Sequence, residues 1–80
     1  MKINVGSVVK ANAGRDSGGY FVVTEAGGTS CFIADGRSRK LAKPKHKNMK
    51  HISPTGSMID INDITDKQLR IRLRELSKAE

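Results

Sequence analysis

Arg37, Arg39, Lys40, Lys43, Lys45, Lys47 and Lys50 place seven cations within fourteen residues, and no acid stands between Asp35 and Asp60. Ammonium and guanidinium groups at that density do one kind of chemistry: they neutralise a polyanion, above all the phosphates of a nucleic acid. Basic and acidic residues cancel within 1–35 and again within 60–80, so the whole net charge of +7 originates in this one segment. A second cluster, Gly14-Arg15-Asp16-Ser17-Gly18 with Lys10 upstream, has the composition of an anion-binding loop. Gly14 and Gly18 permit positive φ, let the chain reverse, and expose backbone N–H groups beside Arg15. Asp16 is expected to order the turn by accepting backbone donors, or to pair with Arg15. A glycine-rich hairpin loop with no ligand accounts for the same residues, and the loop alone does not separate the two readings.

For the basic segment the competing reading is a solvated face or floppy arm. Its flanks favour order. Leu41, Met49 and Ile52, with Pro44 and Pro54 as stops, are expected to fold it back as short strands around a turn. Ordered cations can match phosphate positions and lose less entropy on binding than a tail does. Charge reversal at Lys43, Lys45 and Lys47 together is then expected to abolish binding while leaving the fold intact.

Other chemistry finds little support. His46 and His51 lie among cations that disfavour both an imidazolium and a bound metal, and no Cys or carboxylate stands at ligand spacing. They read as one loop and one strand histidine, His46 being able to hydrogen-bond a phosphate. Cys31, between Ser30 and Phe32, reads as a small core residue. A single cysteine forms no intramolecular disulfide, which fits a reducing cytosol. Asp60, Asp63 and Asp66 lack the spacing and closing glutamate of a calcium loop and are better explained as charge at a helix N-terminus. No catalytic residue, metal or cofactor is expected.

The elements that must position these cations come from a short chain. Eighty residues hold one small domain, and 36% hydrophobic residues with three aromatics and no Trp make a thin core. Residues 5–11, 20–25 and 29–34 are rich in β-branched and aromatic side chains between glycine joints and read as strands. Asp35-Gly36 signals a turn into a fourth strand around 39–43, and a fifth is expected over 48–52. Ser53-Pro54-Thr55-Gly56 reads as the turn cluster that ends the β pattern. An apolar content too low for a two-sided sheet favours a small closed or nearly closed antiparallel barrel, which also removes exposed edges. Thr65 and Gln68 have capping-box spacing, and Leu69, Leu73 and Leu76 follow at i, i+4 and i+7, predicting a helix over about 66–78. The alternation Leu69-Arg70-Ile71-Arg72-Leu73-Arg74 offers a strand instead, but helix formers dominate the window. On a helix, Arg70 and Arg74 share a face that is either solvated or adds phosphate contacts. No run approaches the roughly 18 apolar residues of a membrane span, and the N-terminus has no signal-length apolar run, so a cytoplasmic location is expected.

The ordered set Gly6-x-Val8-Val9-x4-Gly14-Arg15-Asp16-x-Gly18-x2-Phe21-Val22-Val23 resembles the KOW family of RNA-binding motifs. In that family alternating apolar residues flank a central glycine, here Gly14, between two strands of an SH3-like barrel. Phe32-Ile33-Ala34-Asp35-Gly36, the basic segment and His51-Ile52-Ser53-Pro54-Thr55 extend the resemblance over residues 4–56. This region is similar to the KOW branch related to an archaeal and eukaryotic large-subunit ribosomal protein, and most of all to short bacterial KOW-containing RNA-binding proteins. The resemblance implies a mainly β fold, an SH3-like antiparallel barrel of about five strands over 1–56, to which the capping-box reading adds a linker and short C-terminal α-helix over 57–80. It also implies a non-enzymatic protein that binds structured RNA, ribosomal RNA or a ribosome-associated particle first among them. The contacting residues would be Lys10, Arg15, Ser17, Arg37, Arg39, Lys40, Lys43, Lys45, His46, Lys47 and Lys50, with Gly14, Asp16 and Gly18 shaping the loop. With Tyr20, Phe21 and Phe32 as the whole aromatic inventory there is no stacking platform for single-stranded bases, so shape and phosphate recognition is expected. The alternative is an SH3-like protein-interaction module of the transcription or translation machinery, docking a partner through the terminal helix.

Overall fold

The computed structural model describes residues 3–79. Strands β1 (Ser7–Ala11), β2 (Tyr20–Gly27), β3 (Ser30–Ala34), β4 (Lys45–Asn48) and β5 (Ile52–Met58) are followed by helix α1 (Asp66–Ala79), and one 3-10 turn, Met49–His51, joins β4 to β5. All pairings are antiparallel, and the sheet order is β4-β3-β2-β1-β5. Val9 stands opposite Phe21, Val23 opposite Ile33, and Cys31 opposite Lys47.

The sheet is not the closed SH3-like barrel that the sequence led us to expect: β4 and β5 are its two edges and do not pair. The reason lies in the neighbouring apolar pairs Val8-Val9, Val22-Val23 and Ile33-Ala34. Successive strand residues point to opposite faces, so each pair supplies one residue to either side. One face buries Val9, Ala11, Phe21, Val23, Cys31, Ile33 and Ile52. The other buries Val8, Val22 and Ala34 beneath Ile59, Leu69 and Leu73. The sheet is therefore two-sided after all, with α1 covering one face. Its edges are guarded as well: β4 is Lys-His-Lys-Asn, and β5 carries Pro54, which has no N–H to offer.

The uncovered face is protected by curvature. Four inter-strand steps separate the two edges, about 19 Å in a flat sheet, whereas Asn48 to Ile52 spans at most about 14 Å fully extended. Since the edges are joined through that short link, the sheet has to curl over its own core there.

Two expected strands are displaced. Residues 39–43 form turns and bends, and the strand expected over 48–52 is replaced by β4, the 3-10 turn and the start of β5. Ser53-Pro54-Thr55-Gly56, expected to end the β pattern, lies inside β5. There Pro54 stands opposite Val9 and Met58 opposite Ser7, so residues 55–57 bulge against Val8 alone. The Thr55 hydroxyl stitches the bulge by donating to the Val8 carbonyl at 2.8 Å and accepting from Ser57 N–H. Helix α1 forms where the capping box placed it: Thr65 N–H donates to Gln68 Oε1 at 3.0 Å, and Gln68 N–H to Thr65 Oγ1 at 3.1 Å. No helix among the described residues is long and apolar enough to cross a membrane.

Candidate functional site

The glycine loop between β1 and β2 is closed by its own backbone. Ser17 N–H donates to the Gly14 carbonyl, Gly18 N–H to Ala11 and Gly19 N–H to Asp16, with Gly14 and Gly18 at φ of 75° and 87°. Asn12 N–H reaches the His51 carbonyl at 2.9 Å, and Asn12 Nδ2 the Ser53 hydroxyl at 3.0 Å, which pins the loop to the β4–β5 junction.

Asp16 is the hub of the site, with partners other than those expected. Among the described residues its carboxylate pairs with neither Arg15 nor backbone donors: it accepts from Arg39 Nε and Nη2, both at 3.4 Å, and lies 3.7 Å from Lys47 Nζ. Lys47 is only 8% exposed, because its position opposite Cys31 points it toward the core face, and its ammonium also donates to the Ala13 carbonyl at 3.0 Å. Lys47 thus ties β4 to the loop from inside, and replacing it together with Lys43 and Lys45 would disturb the fold as well as any surface. Arg39, half-buried, brings in the 35–39 turn. That turn is ordered by Asp35, whose Oδ1 accepts from Arg37 N–H at 2.8 Å and from Arg39 N–H at 2.9 Å.

Around this frame Arg15, Ser17, Arg37, Lys40, Lys43, Lys45, His46 and Lys50 are exposed. Lys45 lies two residues from Lys47 on β4. His46 meets Phe32 edge-on, ring centroids 5.3 Å apart. Lys50 sits on the 3-10 turn that holds Asn12. Lys10 stands apart on β1, its ammonium 5.7 Å from the centre of the Tyr20 ring, a cation–π contact.

Sequence reasoning gave too little weight to the helix. Arg37 faces Lys67, Arg70 and Arg74 across a groove of about 540 Å³ that Gly19, Tyr20 and Asp35 also line. Arg70 and Arg74 are legible in sequence as sharing a helix face, but Lys67 is not included in it and the acids nearby in sequence offset the charge. The fold draws three of these acids away: Asp66 turns to accept Leu41 N–H at 2.8 Å, and Asp60 and Asp63 line a different depression with Arg72. Among the described residues both ion pairs converge on Asp16, and no group of three or more His, Cys, Asp or Glu side chains is placed to hold a metal. Cys31 is buried, and desolvation pushes its thiol above the ordinary value.

No family model matches the chain, and no curated protein does. The likeness of residues 4–56 to KOW motifs therefore rests on the quoted residues alone, and the barrel it implied gives way to an open, curled sheet.

Proposed function

We propose that this protein binds structured RNA, without catalysing a reaction, through the exposed cations around the Asp16 hub. One observation carries the reading: the loop, the 35–39 turn and β4 are locked together through a single carboxylate, while Arg15, Lys40, Lys43 and Lys45 on and beside them stay exposed. Cations on a fixed frame engage phosphates at little entropic cost. A preference for RNA over DNA draws its support from the KOW resemblance, because phosphate contacts alone do not tell the two apart. The test is a gel-shift titration of an RNA hairpin against Lys40→Glu/Lys43→Glu/Lys45→Glu, a set that spares Lys47. Affinity is expected to fall more than about thirtyfold with an unchanged melting curve; unaltered affinity would overturn the proposal. Duplex DNA of equal length, run in parallel, tests the choice of nucleic acid.

The exposure of Ile71 on α1, at 38%, favours a second reading as a protein-docking module. Nuclease treatment before gradient sedimentation separates the two, since an association held by RNA disappears and one held by protein persists.

A further inference from the structure

We infer that the groove between α1 and the 35–39 turn is an anion site that seats the phosphodiester backbone of the bound RNA, so that the interface continues onto the helix. This rests on the RNA-binding reading and adds a site to it. Lys67, Arg70 and Arg74 are three and four residues apart, so they stand in one row along the helix over about 10 Å, and Arg37 faces them from the turn. Arg70 is held in place, its Nη1 donating to the Gly36 carbonyl at 2.9 Å. Among the described residues the one carboxylate lining the groove is that of Asp35, whose Oδ1 accepts from the backbone of its own turn. Among the described residues none of the four cations pairs with an acid. Asp35 offsets one of these four charges, solvent or an incoming anion relieves the rest, and a low-dielectric wall such as Tyr20 and Leu73 strengthens that attraction.

A linear row of charge suits a ligand with repeating charge better than one small anion. The groove is also continuous with the rest of the basic surface: Gly19 closes the glycine loop, and Arg37 and Arg39 belong to the same turn. A phosphodiester strand leaving the loop can therefore reach α1 past Gly19 and Arg37, which both line the groove.

The experiment compares the full-length protein with Lys67→Gln/Arg74→Gln, which leaves Arg70 and its Gly36 contact untouched, by titrating an RNA hairpin at several salt concentrations. Affinity is expected to fall about tenfold, and the slope of log K against log salt to become shallower by one to two, with the melting curve unchanged. Equal affinity and slope, with binding still lost on charge reversal at 40, 43 and 45, would overturn the groove and leave the RNA reading standing. A wild-type protein that does not bind the hairpin at all would overturn both. ATP and hexaglutamate are titrated as probes of the groove: either one binding as tightly as the hairpin, and weakened equally by the double substitution, would replace the strand by a free nucleotide or an acidic peptide and overturn the inference.

Discussion

Asp16 shows what a residue's type discloses and what it conceals. A carboxylate between two turn glycines announces a turn-ordering role, but its partners Arg39 and Lys47 lie 23 and 31 positions away in the chain and are invisible to local reasoning. Burial makes the arrangement costly to break, because Lys47 is nearly enclosed and without Asp16 keeps only the Ala13 carbonyl. An isolated buried ammonium is strongly unfavourable. Since the contacts are long, 3.4 to 3.7 Å, and Arg39 is partly solvated, Asp16→Ala is expected to cost about 2–3 kcal/mol. Asp16→Asn, which keeps an acceptor and loses the charge, should cost about half as much. Urea denaturation midpoints check both, and an Ala variant as stable as the parent would reduce the hub to a surface ion pair. Lys47 teaches the converse: it belongs to the basic run by type, yet its place opposite Cys31 and its contacts with Ala13 and Asp16 carry it inward, while Lys45, in the same phase at the start of β4, stays exposed.

At the level of elements, the parts legible in sequence were those whose determinants are local. The helix was, because Thr65, Gln68, Leu69, Leu73 and Leu76 define its start and its buried face within twelve residues. The first three strands were too, from their β-branched runs. The 39–43 and 53–56 segments misled for opposite reasons. Residues 39–43 are held as a loop by the Asp35 turn before them and by Asp66, a partner 25 positions from Leu41 that no local window contains. Pro54 and Gly56 look like turn residues but are tolerated in β5, which is an edge strand with a bulge. The docking of α1 on the 35–39 turn depends most on Gly36. It is buried at φ 78°, and a Cβ there would collide with the Asp66 carbonyl oxygen and press on Arg70 Cγ at 3.1 Å. Gly36→Ala is therefore expected to destabilise by more than about 2 kcal/mol, against about 1 kcal/mol for loss of the N-cap in Thr65→Ala. Thermal melts that ranked the two the other way would mean that α1 is held by its own cap more than by the turn.

Across the whole molecule the question is whether +7 acts as a diffuse field or as a site. Net charge alone attracts any polyanion, and a uniform field would make every cation equally valuable. The fold argues for a site, because it sorts the charges unevenly. Lys47 and Arg39 are consumed by Asp16, while Arg72 lies on the far side of the helix row, sharing a depression with Asp60 and Asp63. Arg15, Lys40, Lys43 and Lys45 remain exposed on or beside the locked frame, and Arg37 opens onto the groove. About five phosphate contacts by such a set correspond to a slope of log K against log salt of roughly −3 to −5. Lys45→Glu and Arg72→Glu change the net charge equally, so comparing them isolates position from total charge. Lys45→Glu is expected to weaken binding of an RNA hairpin about tenfold and to lower the magnitude of the slope by about one, whereas Arg72→Glu should stay within about twofold of the parent. Fluorescence anisotropy at three salt concentrations reads both quantities. Equal losses would show that the protein holds RNA by its overall charge, and that the ordering of loop, turn and β4 around Asp16 serves the fold alone.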